Sequence, residues 1–199
     1  MISEIHVVTQ NEAAGAQAVA WMLAEKNENA ELVFLYNKSD AYKGPKIKNI
    51  EENKKVSFFS KIKVLFKFYL YLFHLKPDVI FLHTHNAILL GAFSKFFCKQ
   101  AIVVHHGMPD KYNALTRGLI DFFTNLKFFN KIVCVSHSCA NKLNYRKGIM
   151  SSVYVIYNNA GMSFLEEKLK TYDEFISQSD TVLFTTGRLH KKKNQIFLM

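Results

Sequence analysis

Four histidines lie where two apolar segments of the chain end. His83 and His85 follow one of these segments, and His105 and His106 close the next one along the chain. If both segments are strands of one parallel sheet, their carboxyl ends meet at the same edge, which is where such sheets bind ligands. Imidazole forms hydrogen bonds with hydroxyl or phosphate oxygens, exchanges protons near neutral pH and binds metals. These residue types therefore predict a polar site at this edge of the sheet.

Three uses of these imidazoles are open, and they differ in what else each requires. A metal site needs three converging ligands with supporting partners, and the carboxylates nearest in sequence are Asp78, which precedes its strand, and Asp110. We therefore predict no metal site, and we place recognition of a polar ligand ahead of purely structural histidines. His106, which Gly107 follows directly, is the strongest candidate for a functional side chain.

A small-residue turn follows the first apolar segment and opens a helix-like stretch. Within it, Gly15 and Ala16 are candidates to contact a phosphate or a sugar, because glycine permits close approach and helix N-termini bind anions. A glycine at such a turn also serves packing alone, and that alternative stays open. The chain has neither the G-x-G-x-x-G nor the Walker pattern of phosphate-binding loops.

The segment Ser136-His137-Ser138 places a hydroxyl beside an imidazole, as in a hydrolase nucleophile with its base. Adjacent side chains of an extended segment diverge, however, and no G-x-S-x-G turn surrounds these residues. Ser136 or Ser138 is predicted instead to cap the helix that follows.

Short apolar runs alternate with longer helix-like segments along the whole chain. Nearly continuous apolar strands separated by helices are typical of a parallel sheet that helices cover on both faces. The predicted fold class is therefore α/β, a doubly wound, Rossmann-like parallel sheet. The predicted strands are residues 5–9, 32–36, 79–83, 102–105, 132–136, 153–157 and 182–186, and the predicted helices are residues 16–26, 58–75, 87–99, 114–129 and 138–147.

A turn of asparagine and glycine at residues 158–161 marks the strongest domain boundary. We predict an N-terminal Rossmann-like domain over residues 1–160, an interdomain linker helix over the charged residues 161–178, and the truncated start of a second domain over residues 179–199. This last segment has an apolar strand that enters a glycine turn and a basic loop, like the first half of a βαβ unit.

The chain is basic, with 26 Lys and Arg against 16 Asp and Glu and a formal net charge of +10. Nearly all of these cations are lysines, which suit anionic surfaces and phosphates better than the recognition of base edges. No nucleic-acid-binding motif accompanies the charge, so we predict no nucleic-acid partner. Residues 56–75 interleave lysines with apolar side chains, which favours packing on the sheet and is compatible with contact to an anionic membrane.

Cysteine use and hydropathy indicate the compartment of the protein. The three cysteines lack C-x-x-C spacing and predict reduced, mostly buried thiols. The N-terminus has no basic segment before a long apolar one, and lysines interrupt the longest apolar stretch. We therefore predict a cytoplasmic protein without a secretion signal or membrane span, in which peripheral contact with the inner face of the membrane remains an option.

The order and spacing of these features resemble the family 4 retaining glycosyltransferases, nucleotide-sugar enzymes of the two-domain GT-B fold. The resemblance extends over nearly the whole chain. It is carried by the loop around Gly15, Pro77-Asp78-Val79-Ile80-Phe81-Leu82-His83-Thr84-His85, Val103-Val104-His105-His106-Gly107, Ile132-Val133-Cys134-Val135-Ser136, Val155-Ile156-Tyr157-Asn158-Asn159, and Gly187-Arg188-Leu189 with Lys193-Asn194.

The resemblance implies which residues meet the donor. It places Gly15, with Ala16 after it, in a loop near the donor phosphates and the acceptor, where Ala14 stands in place of the usual second glycine. It makes Arg188 and Lys193 the pair that neutralises the donor diphosphate as the sugar leaves, a plausible role because the leaving group gains negative charge.

The resemblance also implies roles for the histidines. It makes His106 the catalytic-site histidine that contacts the transferred sugar, and His83, His85 and His105 become candidates on the acceptor side. In this family the N-terminal domain holds the acceptor and the C-terminal domain holds the nucleotide sugar.

The activity implied by the resemblance is transfer of a sugar from a nucleotide donor to a hydroxyl, with retention and without a metal or other cofactor, since the nucleotide sugar is a substrate. We expect the acceptor-side part of such an enzyme, acting on a glycan or lipid-linked acceptor in surface polysaccharide or glycolipid synthesis. The two glutamates that bind the donor in this family are expected beyond Met199. We therefore expect the chain to be inactive alone, and it stays open whether these residues form an enzyme by themselves. The alternative is a non-catalytic module that docks on a membrane or a partner chain.

Overall fold

The apolar segments of the chain form one parallel sheet. The computed structural model describes residues 2–52, 58–107, 112–143, 145, 147–150 and 152–158. Within these residues the sheet has seven strands in the order β3-β2-β1-β4-β5-β6-β7, and every adjacent pair is parallel. The strands are β1 (Glu4–Asn11), β2 (Ala30–Asn37), β3 (Ile47–Asn49), β4 (Val79–Leu82), β5 (Gln100–His105), β6 (Lys131–Cys134) and β7 (Val153–Val155).

Helices connect most of these strands, as parallel pairing requires, because the chain must return to the same edge of the sheet between neighbouring strands. The predicted doubly wound α/β class is confirmed. The helices of the described residues are α1 (Gly15–Lys26), α2 (Phe58–Leu75), α3 (His85–Leu90), α4 (Ala114–Asn125), α5 (His137–Ala140) and α6 (Lys147–Met150), together with a 3-10 helix at Ala92–Phe96.

The larger core lies between α2 and one face of the sheet. Val64, Phe68 and Leu72 recur every four residues on α2 and are fully buried, which is the spacing that aligns side chains along one side of a helix. They belong to the same cluster as Ile5 and Val7 of β1. Burial of a side chain such as Phe68 is worth about 3–5 kcal/mol against alanine, so this contact anchors α2 on the sheet.

The opposite face of the sheet is covered by α1. The buried residues of this helix are Gln17, Ala20 and Ala24, and the two small alanines pack with Leu32 and Phe34 of β2. Small side chains allow a helix to approach a sheet closely, and here they bring the N-terminus of α1 to the carboxyl end of β1.

Every predicted strand within the described residues is present, and β3 is an additional strand that the sequence did not indicate. β3 is a three-residue strand at the edge of the sheet, with Lys48 exposed between two half-buried residues. It therefore lacks the apolar run that marks the other strands.

Three predicted helices differ from the observed ones. The predicted helix 87–99 is divided at Gly91, which caps the end of α3 and precedes the 3-10 helix at Ala92–Phe96. A side chain would not fit at this cap, since a Cβ there would lie 2.5 Å from Cδ2 of Leu82 and 2.8 Å from the carbonyl oxygen of Ala87. The predicted helix 138–147 was wrong as a single element, since α5 ends at Ala140 and α6 begins at Lys147. The helix predicted at residues 114–129 ends four residues earlier, at Asn125.

The described residues lie within one compact unit, Met1–Asn158. The predicted strand 182–186, the predicted linker helix 161–178 and the predicted second domain 179–199 lie outside the described residues. No helix among the described residues combines the length and the apolar character needed to cross a membrane.

Candidate functional site

The centre of the sheet contains a topological switch point. β1 pairs with β2 on one side and with β4 on the other, so the chain leaves β1 in one direction along the sheet and later returns to continue in the other. Open α/β sheets bind ligands in the crevice at the carboxyl ends of such strands. Here Thr9 of β1 and Thr84 after β4 hold the two strand ends together, with 2.5 Å between their hydroxyl oxygens and 3.1 Å from the backbone nitrogen of Thr9 to the Thr84 hydroxyl.

The N-terminus of α1 faces this edge of the sheet without a side-chain cap. The capping residue is Ala14, which has an extended backbone and no side chain able to accept the first amides of the helix. The helix dipole adds partial positive charge at this end. A Cβ on Gly15 would meet nothing within 4 Å, so tight packing among the described residues does not account for this glycine. The first amides of α1 are thus suited to an anion.

Two of the four predicted histidines meet across the neighbouring strands β4 and β5. Nδ1 of His83 lies 2.8 Å from Nε2 of His106, and the two ring centroids are 5.1 Å apart. His83 is fully buried, whereas His106 is partly exposed at the strand exit. The second ring nitrogen of His106, Nδ1, is buried without a hydrogen-bond partner among the described residues.

His83 continues the contact into the interior of the sheet. Its Nε2 lies 2.9 Å from Nδ1 of His6, and Nε2 of His6 lies 2.6 Å from Oε1 of Glu4. Oε2 of the same carboxylate accepts a hydrogen bond from Asn27 at 3.0 Å. We call Glu4, His6, His83 and His106 the histidine chain. It connects the amino end of β1 to the carboxyl edge of β5.

Sequence reasoning missed Glu4 and His6 as parts of the site. The available signal was their spacing, because residues two apart in a strand share a face, and a polar pair stands out beside the apolar residues Ile5, Val7 and Val8 of β1. Their involvement could not be predicted from the sequence alone, since His6 and His83 are 77 residues apart.

The other two histidines do not join this contact, which corrects the expectation that all four meet. His105 lies on the opposite face of β5, where its Nε2 is 3.3 Å from the hydroxyl of Tyr145. His85 opens α3 on the surface, with its ring 5.1 Å from that of Tyr112.

Burial sets the protonation of these imidazoles. It lowers the pKa of His105 and of His106 to about 4, and it lowers the pKa of His83 well below 6.5, with the neighbouring charges of His6 and His106 acting in the same direction. The hydrogen bond from His6 lowers the pKa of Glu4, which keeps this carboxylate ionised. His83 and His106 are therefore neutral at physiological pH.

Within the described residues, no group of three or more His, Cys, Asp or Glu side chains is placed to hold a metal ion. Ser136 caps α5, as predicted, because its hydroxyl accepts a hydrogen bond from the amide of Cys139 at 3.1 Å. Cys98, Cys134 and Cys139 form no disulfide. Arg188 and Lys193, the predicted phosphate ligands, lie outside the described residues.

Solved structures with the same fold include two of Anabaena HepE. The complex of HepE with UDP and glucose has a TM-score of 0.61 and 11% identity, over 86% of this chain and 50% of that chain. The complex with UDP-glucose has a TM-score of 0.60 and 13% identity, over 84% of this chain and 49% of that chain. This chain thus spans about half the length of these structures. A search of curated proteins found no match.

The family model described as Glycosyltransferase Family 4 matches residues 5–159, which is most of the chain and includes every strand named above except the first residue of β1, Glu4. The match covers the uncapped start of α1, the switch point and the histidine chain from His6 onward. This chain therefore belongs to glycosyltransferase family 4.

Proposed function

We propose that this chain provides the acceptor-side domain of a retaining glycosyltransferase, which transfers a sugar from a nucleotide-sugar donor to a hydroxyl of a glycan or lipid-linked acceptor. Surface polysaccharide or glycolipid synthesis is the proposed setting. The observation that carries this proposal is the polar edge at the switch point, where an uncapped helix N-terminus and a neutral His106 lie at the ends of central strands. Membership of family 4 supports the same activity.

The proposed division of labour follows from the chemistry of these groups. The amides of Gly15 and Ala16 at the start of α1 bind a phosphate, and His106 forms a hydrogen bond with a hydroxyl of the transferred sugar. Arg188 and Lys193 neutralise the diphosphate as it leaves. HepE has been solved with UDP and with UDP-glucose, which makes a UDP-sugar the first donor to test. No cofactor is proposed.

We further propose that these 199 residues do not catalyse transfer by themselves. The resemblance to family 4 assigns recognition of the nucleotide to the other domain of the GT-B fold. Calorimetric titration of the chain with UDP-glucose should therefore give no specific heat of binding. The same chain should still show a cooperative thermal transition. Specific micromolar binding would contradict this part of the proposal.

The activity is tested by joining the chain to the donor domain of a family 4 relative and measuring transfer from UDP-glucose. His106→Ala should lower kcat/KM by about 10²-fold, the usual loss when a group that contacts the transition state is removed. His74→Ala is the matched control, because His74 is exposed on α2, and it should leave the rate unchanged. Arg188→Ala with Lys193→Ala should weaken diphosphate binding. Full activity of His106→Ala would refute the assignment of this histidine.

The outer face of α2 favours a second role at a membrane, without requiring catalysis. Four apolar side chains at helical spacing, the α2 stripe (Ile62, Phe66, Leu70 and Phe73), are exposed, and Phe66 is 71% exposed. Lysines flank the stripe, although Lys63 and Lys67 also pair with Glu51 at 3.3 and 2.9 Å. An apolar face edged by lysines suits the headgroup region of an anionic membrane.

We propose peripheral contact of the α2 stripe with the inner face of the cytoplasmic membrane. Co-sedimentation should show stronger binding to vesicles that contain phosphatidylglycerol than to pure phosphatidylcholine. Phe66→Ser with Leu70→Ser should abolish this binding. Tyr154→Ser with Tyr157→Ser is the control, because it also removes two exposed aromatic side chains, and it should leave the binding unchanged. Equal loss in both variants, or no vesicle binding at all, would refute the proposal and leave docking on a partner chain as the alternative.

A further inference from the structure

The protons of the histidine chain have one consistent arrangement when all three imidazoles are neutral, and one additional proton can leave the positive charge on His106, His83 or His6. In a neutral imidazole one nitrogen carries a hydrogen and the other does not. Every nitrogen of His6 and His83 is engaged in the chain, as is Nε2 of His106. The direction of one hydrogen bond therefore determines the direction of the next. The ionised carboxylate of Glu4 can only accept, so Nε2 of His6 must be a donor.

In the first arrangement all three imidazoles are neutral. Nε2–H of His6 donates to Glu4, so Nδ1 of His6 has no hydrogen and accepts from Nε2–H of His83. Nδ1 of His83 then accepts from Nε2–H of His106. The remaining nitrogen at the site, Nδ1 of His106, is left as a hydrogen-bond acceptor, suited to a hydroxyl that donates.

The second arrangement contains one more proton. The added proton binds Nδ1 of His106. His106 then gives its Nε2 proton to Nδ1 of His83, and His83 gives its Nε2 proton to Nδ1 of His6. His6 then carries the positive charge, 2.6 Å from the carboxylate of Glu4. Nδ1 of His106 has become a donor, the two hydrogen bonds between the rings have reversed direction, and Nε2–H of His6 still donates to Glu4.

We propose that Glu4, His6, His83 and His106 act as one relay, in which a proton taken up at Nδ1 of His106 appears as positive charge on His6 beside Glu4. Among the described residues no carboxylate contacts His106 or His83, whereas His6 contacts Glu4. Of the three rings that could hold the added proton, His6 is therefore favoured, and the relay moves the charge away from the strand exit to this ring. Glu4, His6 and His83 are thus positioning residues that decide whether His106 accepts from or donates to a sugar hydroxyl.

Other groups on this face do not offer an alternative partner for the charge. The buried residues of α1, which packs here, are Gln17, Ala20 and Ala24, none of which ionises. His6 stacks on Phe81 of β4, with 4.9 Å between ring centroids. Glu31 of β2 lies on the opposite face, since it pairs in register with Ile5 and binds Tyr71.

The inference rests on the proposed function only in taking His106 as the residue that meets the sugar. Its test needs neither donor nor acceptor. Ring ¹⁵N shifts of labelled histidines in the 199-residue chain distinguish a nitrogen that carries hydrogen from one that does not. At high pH we expect His106 as the Nε2–H tautomer. As the pH falls, Nδ1 of His106 should gain hydrogen at the same midpoint at which its Nε2 loses hydrogen, so that this ring stays neutral.

Glu4→Gln keeps the shape of the side chain and removes its charge. The midpoint at which Nδ1 of His106 gains hydrogen should fall by about one pH unit or more, because an opposite charge at contact distance favours the charged form of the histidine chain. Glu31→Gln is the matched control on the other face of the sheet and should shift the midpoint much less. An Nδ1–H tautomer of His106 at high pH, separate midpoints, or equal shifts in the two variants would overturn the relay. Loss of sugar transfer with the relay intact would instead refute the proposed function.

Discussion

Replacement of His83 by alanine should destabilise the protein more than replacement of any other single histidine of the described residues. His83 is fully buried and forms hydrogen bonds at both ring nitrogens, of 2.9 Å to His6 and 2.8 Å to His106. Truncation leaves one nitrogen of each neighbour without its partner. An unsatisfied buried polar group costs about 1–3 kcal/mol, so the two together lower the free energy of unfolding by about 2–6 kcal/mol, in addition to the lost packing.

His105→Ala is the control that removes the packing contribution. His105 is buried to the same extent, but its Nε2 forms only a 3.3 Å contact with Tyr145 and its Nδ1 has no partner among the described residues. Both substitutions delete the same ring from the same region of the sheet. The difference between their free energies of unfolding therefore isolates the two bonds of His83, and we expect His83→Ala to be less stable than His105→Ala by about 1–3 kcal/mol.

Urea unfolding followed by circular dichroism measures this difference directly. In thermal unfolding it corresponds to a Tm about 2–12 °C lower for His83→Ala than for His105→Ala, taking about 2–4 °C per kcal/mol for a domain of this size. A cycle with His6→Phe should show coupling between His6 and His83. Equal stability of the two alanine variants would mean that the hydrogen bonds of His83 make no net contribution to the free energy of unfolding, and it would refute this prediction.

Two further predictions concern buried groups elsewhere. Burial lowers the pKa of His105 and His106 to about 4, so below pH 6.5 the unfolded chain binds protons that the folded protein excludes. The free energy of unfolding should therefore decrease as the pH falls from about 6.5 to about 4, by up to about 1.4 kcal/mol per pH unit for each ring. Urea unfolding measures this change, and a constant free energy of unfolding over this range would contradict the lowered pKa of the two histidines. Gly91→Ala should lower stability by about 1–3 kcal/mol, because its Cβ would lie 2.5 Å from Leu82, whereas Gly107→Ala, at a position with nothing within 4 Å, should stay within about 0.5 kcal/mol of the parent.

Local sequence patterns predicted the architecture because they are consequences of burial. Strands covered on both faces, such as β2, must be mostly apolar, and α2 must repeat its core residues every three to four positions. Ser136 could be assigned as a helix cap for the same reason, since the hydroxyl and the amide it satisfies are neighbours in the chain. β3 was not predicted from the sequence, because a strand of three residues at the edge of a sheet needs no apolar pattern.

The sequence by itself determined the fold class, the family resemblance and the choice of His106 as a candidate. Which histidines meet was decided only by the tertiary structure. Strand pairing joins His83 to His106 and turns His105 to the other face, and the pairing of β1 with β4 brings His6 and Glu4 into the same chain. The physical reason is that side-chain direction alternates along every strand, so contacts between distant segments depend on register, which only the assembled sheet defines.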